Sequence, residues 1–170
     1  MSYDFHLFRR VAGEDPLTTA RAQGEDKDED LGPSDPDAER IKKAVADALV
    51  AQNPGLEAFD FDYEEIARFH DMSADEARQL YGHIELDCAE HGNGIQVTLF
   101  DHTASITLPY WHSDSATAKE AMTEIWGYLR IMCREGGFLA YDPQLDRVLD
   151  LSQDFDEVTS TYLQTARRLP

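Results

Sequence analysis

The sequence predicts an α+β fold: a mainly antiparallel sheet with helices packed on one face. The sheet is expected to comprise a central three-stranded meander, an N-terminal strand and a C-terminal hairpin. Three observations lead there. Apolar and polar residues alternate with period two through residues 84–111, apolar stripes at helical spacing lie on both sides of that stretch, and turn residues separate the two patterns. The chain has 170 residues, enough for one domain over 1–170 with a full core and short for two.

The elements follow in order. Tyr3, Phe5 and Leu7 alternate with polar neighbours and suit a first strand. Residues 12–34 read as a mobile acidic loop, because the run Gly24-Glu25-Asp26-Lys27-Asp28-Glu29-Asp30 before Gly32-Pro33 cannot bury apolar area. Asp35-Pro36 opens a helix with a cap and a first-turn proline. Its stripe is Ile41, Val45, Ala48 and Leu49, and Asn53-Pro54-Gly55 stops it. Phe59 and Phe61 suit a short extended piece, and Tyr63 to Phe69 a short helix. Ser73-Ala74-Asp75-Glu76 is a capping-box pattern for a further helix to about Tyr81.

The meander is written as Ile84, Leu86 and Cys88, then Ile95, Val97 and Leu99, then Ile106, Leu108 and Tyr110. Gly92-Asn93-Gly94 and Asp101-His102-Thr103 supply its turns. A long helix over Ser115–Arg134 carries Ala118, Met122, Ile125, Leu129 and Met132, widened by Trp126 and Cys133, and ends at Gly136-Gly137. Two short strands, Phe138–Tyr141 and Arg147–Leu151, flank the turn Asp142-Pro143-Gln144-Leu145. Ser152 is placed as the cap of a last helix with Phe155, Val158, Tyr162 and Ala166 inside.

Charge bounds the function. Asp and Glu number 34 against 15 Lys and Arg, a formal net charge of −19. Such a field repels nucleic acid and anionic membranes, favours solubility, and suits a basic partner. The chain opens Met1-Ser2-Tyr3-Asp4 with no signal-peptide pattern, and no apolar run reaches the ~20 residues of a membrane span. The expected location is cytoplasmic, with Cys88 and Cys133 as reduced, buried thiols on apolar stripes.

No catalytic motif is legible. A Gly-x-Ser-x-Gly elbow, a Gly-x-Gly-x-x-Gly loop and a P-loop are all missing. His6, His70, His83, His91, His102 and His112 are scattered without ligand spacing, so no metal is expected. Asp26-Asp28-Asp30 has Leu31 and Asp37 where a calcium loop needs Gly and Glu. Neither an enzyme nor a cofactor is expected.

Glu85 and Asp87 lie two apart on one strand, so they share a face. Gln96, Thr98, Thr107 and Trp111 should point the same way. An acidic, hydroxyl-lined sheet face with an aromatic at one edge suits docking of a basic protein. It also suits a plain solvated face, which antiparallel sheets commonly have. Pro109-Tyr110-Trp111-His112 and Tyr141-Asp142-Pro143-Gln144 sit at strand ends, where loops often carry function. They support the alternative of a small-ligand-binding protein or enzyme with a site between the meander and the Tyr141–Gln144 turn.

The stretches Ile84-Glu85-Leu86, Gly94-Ile95-Gln96-Val97, Ile106-Thr107-Leu108-Pro109-Tyr110-Trp111 and Gly137-Phe138-Leu139-Ala140-Tyr141-Asp142-Pro143-Gln144 resemble small uncharacterised acidic bacterial proteins that begin Met-Ser-Tyr-Asp. That resemblance implies no activity. In size, acidity and single-domain character the chain is also similar to immunity proteins of polymorphic toxin systems, a likeness that transfers no site residues. The expected function is an acidic protein-binding module of the immunity type, neutralising a basic partner or toxin through Glu85, Asp87, Gln96, Thr98, Thr107 and Trp111.

Overall fold

The computed structural model describes residues 1–25, 35–88 and 92–169. Within them, seven strands form a single antiparallel sheet: β1 (Ser2–Arg9), β2 (Glu57–Ala58), β3 (Ile84–Asp87), β4 (Gln96–Leu99), β5 (Thr103–Pro109), β6 (Phe138–Asp142) and β7 (Arg147–Val148). Their order across the sheet is β2-β3-β4-β5-β1-β6-β7. The meander β3-β4-β5 therefore sits beside the N-terminal strand, and the C-terminal hairpin extends the other side of it.

Alternation builds the inner face. Tyr3, Phe5 and Leu7 from β1, Val97 and Leu99 from β4, and Ile106 and Leu108 from β5 are all buried. Registers such as Phe5↔Ile106 and Val97↔Ile106 align these side chains across the strands. Three helices close over them: α2 (Pro36–Gln52), α5 (Ser115–Gly136) and α6 (Phe155–Ala166). The α5 stripe Ala118, Met122, Ile125, Leu129 and Met132 is fully buried, and each larger side chain in it contributes roughly 1.5–3 kcal/mol of transfer free energy. Asp114 caps α5 through the amides of Ala116 and Thr117, and Gly137 ends it in the left-handed region at φ 68°.

The remaining local signals also find their places. Asp35 caps α2 by accepting from the Asp37 amide. Ser73 and Glu76 form both bonds of a capping box at α4 (Ala74–Leu80), which follows α3 (Tyr63–His70). Lys42 on α2 is buried, and its ammonium donates to Gly82 O at 2.6 Å and Asp101 at 2.8 Å and pairs with Glu39 at 2.7 Å. Burial works against that charge, but Asp101 and Glu39 outweigh it and hold the Lys42 pKa above its ordinary value.

Five expectations need correction. Residues 12–34 are not a loop throughout: α1 (Pro16–Glu25) forms there. Asp15 accepts from the Thr18 amide at 3.0 Å, so Asp15-Pro16 opens a helix as Asp35-Pro36 does. The acidic run 26–34, with Asp26, Asp28 and Asp30, lies outside the described residues, as does His91. Second, the helices do not share one face. Ala20 and Leu17 of α1 pack on Phe8, Leu139, Tyr141 and Val148, side chains on the sheet face opposite the main core. The Arg21 guanidinium anchors α1 to Asp146 in the β6–β7 turn.

Third, Ser152 does not cap the last helix. Its hydroxyl donates to Asp150 at 2.6 Å within the preceding turn, and Asp154 takes the N-cap position. Fourth, the extended piece starts earlier than Phe59: Glu57 and Ala58 pair with Asp87 and Leu86 on β3, and the Phe59 amide continues that ladder by donating to Glu85 O at 2.9 Å. Fifth, Cys88 and Cys133, expected as buried thiols, are both only half-buried. Burial pushes the Cys133 thiol up to about 11.

Candidate functional site

The outer face of the meander carries the acidic surface. Strand pairing sets Glu85 opposite Thr98, Asp87 opposite Gln96, and Gln96 opposite Thr107, so these five side chains share one face. Glu57 on β2 lies opposite Asp87 and joins them, and Asp4 on β1 lies opposite Thr107. The same-face strand positions of β1 to β5 hold Asp4, Glu57, Glu85 and Asp87, and no Lys or Arg. These side chains range from half-buried to exposed; the Glu85 side chain is 45% exposed.

Aromatic side chains border this face at two places. Trp111 is 72% exposed and Phe59 is 58% exposed. Trp111 leans over Gly94: a Cβ there would meet the indole and the Pro109 ring at 2.6 Å. The turn presenting Trp111 is fixed from beneath. Pro109 O accepts from the Tyr162 hydroxyl at 2.7 Å, and the His112 imidazole bonds Asn93 O at 2.8 Å. Tyr162 in turn stacks on Tyr110, with ring centroids 5.3 Å apart.

At the opposite corner, His83 is the centre of an aromatic cluster. Its ring meets Phe61 at 5.0 Å and Phe100 at 5.2 Å, while Phe59 packs edge-on against Phe61 at 4.9 Å. His83 Nε2 lies 2.9 Å from Glu85 Oε1, so Glu85 is steered by a half-buried imidazole. The structure thus brings Glu85, Asp87, Gln96, Thr98 and Thr107 onto one face with Trp111 at its margin, and adds Glu57 and Phe59. Those two were illegible because their placement depends on β2 joining β3 across 25 intervening residues of helical hairpin and connections.

The Tyr141–Gln144 corner has a different character. Asp142 is fully buried; it accepts from the Tyr3 hydroxyl at 2.6 Å and from the amides of Gln144 and Leu145 at 2.8 and 3.1 Å. Burial raises its pKa despite those donors, and burial also pushes the Tyr3 phenol up. With its oxygens so engaged, this carboxylate holds a turn against the first strand.

A second polar assembly had no sequence signal. Glu124 on α5 accepts from Asn53 at 2.8 Å and Asn93 at 2.7 Å, and also from the Tyr128 hydroxyl. Burial, then the Glu124 carboxylate, pushes the Tyr128 phenol up. The assembly ties the end of α2 and the turn before β4 to α5, beside a shallow groove of about 710 Å³. Its members are 31 to 75 residues apart or one helical turn apart, so only folding reveals them.

Among the described residues no three His, Cys, Asp or Glu side chains converge as metal ligands, and no helix is long and apolar enough to cross a membrane. No protein-family model matches this chain, and no curated protein or solved structure matches it.

Proposed function

We propose that the chain is an acidic protein-binding module of the immunity type, acting in the cytoplasm on a basic partner such as a toxin. One observation carries the reading: a sheet face with four carboxylates, no strand-borne Lys or Arg, and exposed Trp111 and Phe59 at its margins. An aromatic ring standing clear of a preformed turn supplies an anchor that loses little conformational entropy on docking. The carboxylates supply steering and register, and the net charge of −19 extends that attraction beyond contact range. Carboxylates spaced over three strands can meet several Lys or Arg side chains at once, which suits a basic protein surface.

The test is capture from a lysate of the source cells on immobilised protein, comparing wild type with E85Q/D87N/W111A. A basic protein should bind wild type, elute as salt rises, and be lost from the variant. Retention that is equal on the triple variant, or unchanged between roughly 0.1 and 1 M salt, removes the proposal.

A further inference from the structure

A separate cleft lies between α1 and the outer face of β1 and β5, with a volume of about 860 Å³. That is within the range of small-molecule sites, roughly 300–1,000 Å³. Two carboxylates line it, Asp4 and Glu14. Asp4 accepts from the Ser2 hydroxyl at 3.0 Å and Glu14 from the Thr19 hydroxyl at 2.9 Å. Among the described residues neither has an ion-pair partner. Among the described residues the lining contains no Lys or Arg, and its imidazoles are His6 and His102.

The apolar part of the lining is mixed: the rings of Phe8 and Phe100 with the aliphatic Leu7, Val11, Ala20, Ala22 and Ala104. Gln23 also lines the cleft, and its Oε1 is buried with no hydrogen-bond donor among the described residues. An unsatisfied buried acceptor costs on the order of 1–3 kcal/mol, which a donor-rich ligand would relieve once the amide turns toward it. We infer that this cleft binds a small organic cation, an amine or guanidine carried on an aromatic or apolar body. The cation meets Asp4 and Glu14 and the body lies on Phe8 and Phe100. Asp4 is half-buried and Glu14 exposed, so the pair with Asp4 is the less screened of the two. The cleft shares Asp4 and Thr107 with the acidic sheet face but contains none of Glu57, Glu85, Asp87 or Trp111, so loss of partner docking in E85Q/D87N/W111A and loss of amine binding in A22W are separate outcomes.

The probe is phenethylamine, titrated into the full chain and followed by amide chemical shifts, with phenylacetate as the anionic counterpart. Saturable shifts are expected at Thr19, Ala22, Thr103 and Ser105, with phenylacetate giving none. D4N and E14Q should each weaken binding about tenfold, the scale of one charge-assisted hydrogen bond. A22W, which fills the cleft from the exposed side of α1 and removes no carboxylate, should abolish binding. The inference is overturned by linear, unsaturated shifts up to about 10 mM, by equal binding of phenylacetate, or by a folded A22W or D4N/E14Q protein that binds as wild type.

Discussion

Gly94→Ala tests how the exposed indole is held. Gly94 has φ 74°, in the left-handed region, where an alanine costs roughly 1 kcal/mol through its Cβ. That Cβ would also sit 2.6 Å from Pro109 Cγ and from Trp111 Cζ3. Pro109 cannot retreat easily, because its carbonyl accepts from Tyr162 and its strand pairs with β1. Trp111, 72% exposed, gives way instead. The covered quarter of an indole that buries at most about 250 Å² is roughly 60–70 Å², worth about 1.5 kcal/mol at 25 cal/mol per Å². The total is about 2–3 kcal/mol. Gly137 is the matched control: its φ is 68°, but a Cβ there meets nothing within 4 Å, so G137A should cost only about 1 kcal/mol. Urea unfolding followed by far-UV circular dichroism reads both. In a W111A background the excess cost of G94A over G137A should fall by about 1.5 kcal/mol. Equal costs for G94A and G137A in the wild-type background would refute the contact, as would an excess indifferent to W111A.

Two further outcomes follow from the ion pairs. Lys42→Met keeps the aliphatic stem but leaves Gly82 O without its ammonium and Asp101 without its cation, so it should destabilise by about 2–4 kcal/mol; a chemical-denaturation midpoint at or above wild type would contradict this. Asp146 is held down to about 2 by Arg21 and the Tyr141 hydroxyl, below its ordinary 3.8. Because the folded pKa is depressed, its contribution is fully present above pH 3.8 and is lost as pH falls through about 2, releasing α1 from the β6–β7 turn. Carboxyl NMR titration of wild type against R21A checks it, with the Asp146 midpoint moving up in the variant; an unmoved midpoint rejects the anchor.

The candidate face was legible in the sequence to the extent that alternation is a local property. Glu85 and Asp87 had to share a face once Ile84, Leu86 and Cys88 were placed in a strand, and Gln96, Thr98 and Thr107 followed by the same period. Asp35, Ser73 and Gly137 marked helix ends through bonds made within a few residues. The α1 helix was missed although Asp15-Pro16 repeats the Asp35-Pro36 signal, because the acidic run beyond Gly24 dominated the composition of that window. Ser152 misled because Asp150, two residues earlier, competes for its hydroxyl.

Taken alone, the chain determined its fold class, the strands of the meander, most helix boundaries and the acidity of the outer face, since period, caps and charge act over a few residues. Tertiary structure decided the sheet order, the side on which α1 packs, the arrival of Glu57 and Phe59 beside Asp87 and Glu85, and the gathering of Asn53, Asn93 and Tyr128 around Glu124. It also set Glu14 of the α1 region against Asp4 of β1 across a cleft. Each of these joins residues distant along the chain or sets which side of the sheet an element takes, and neither the distance nor the choice leaves a mark in any short stretch of sequence.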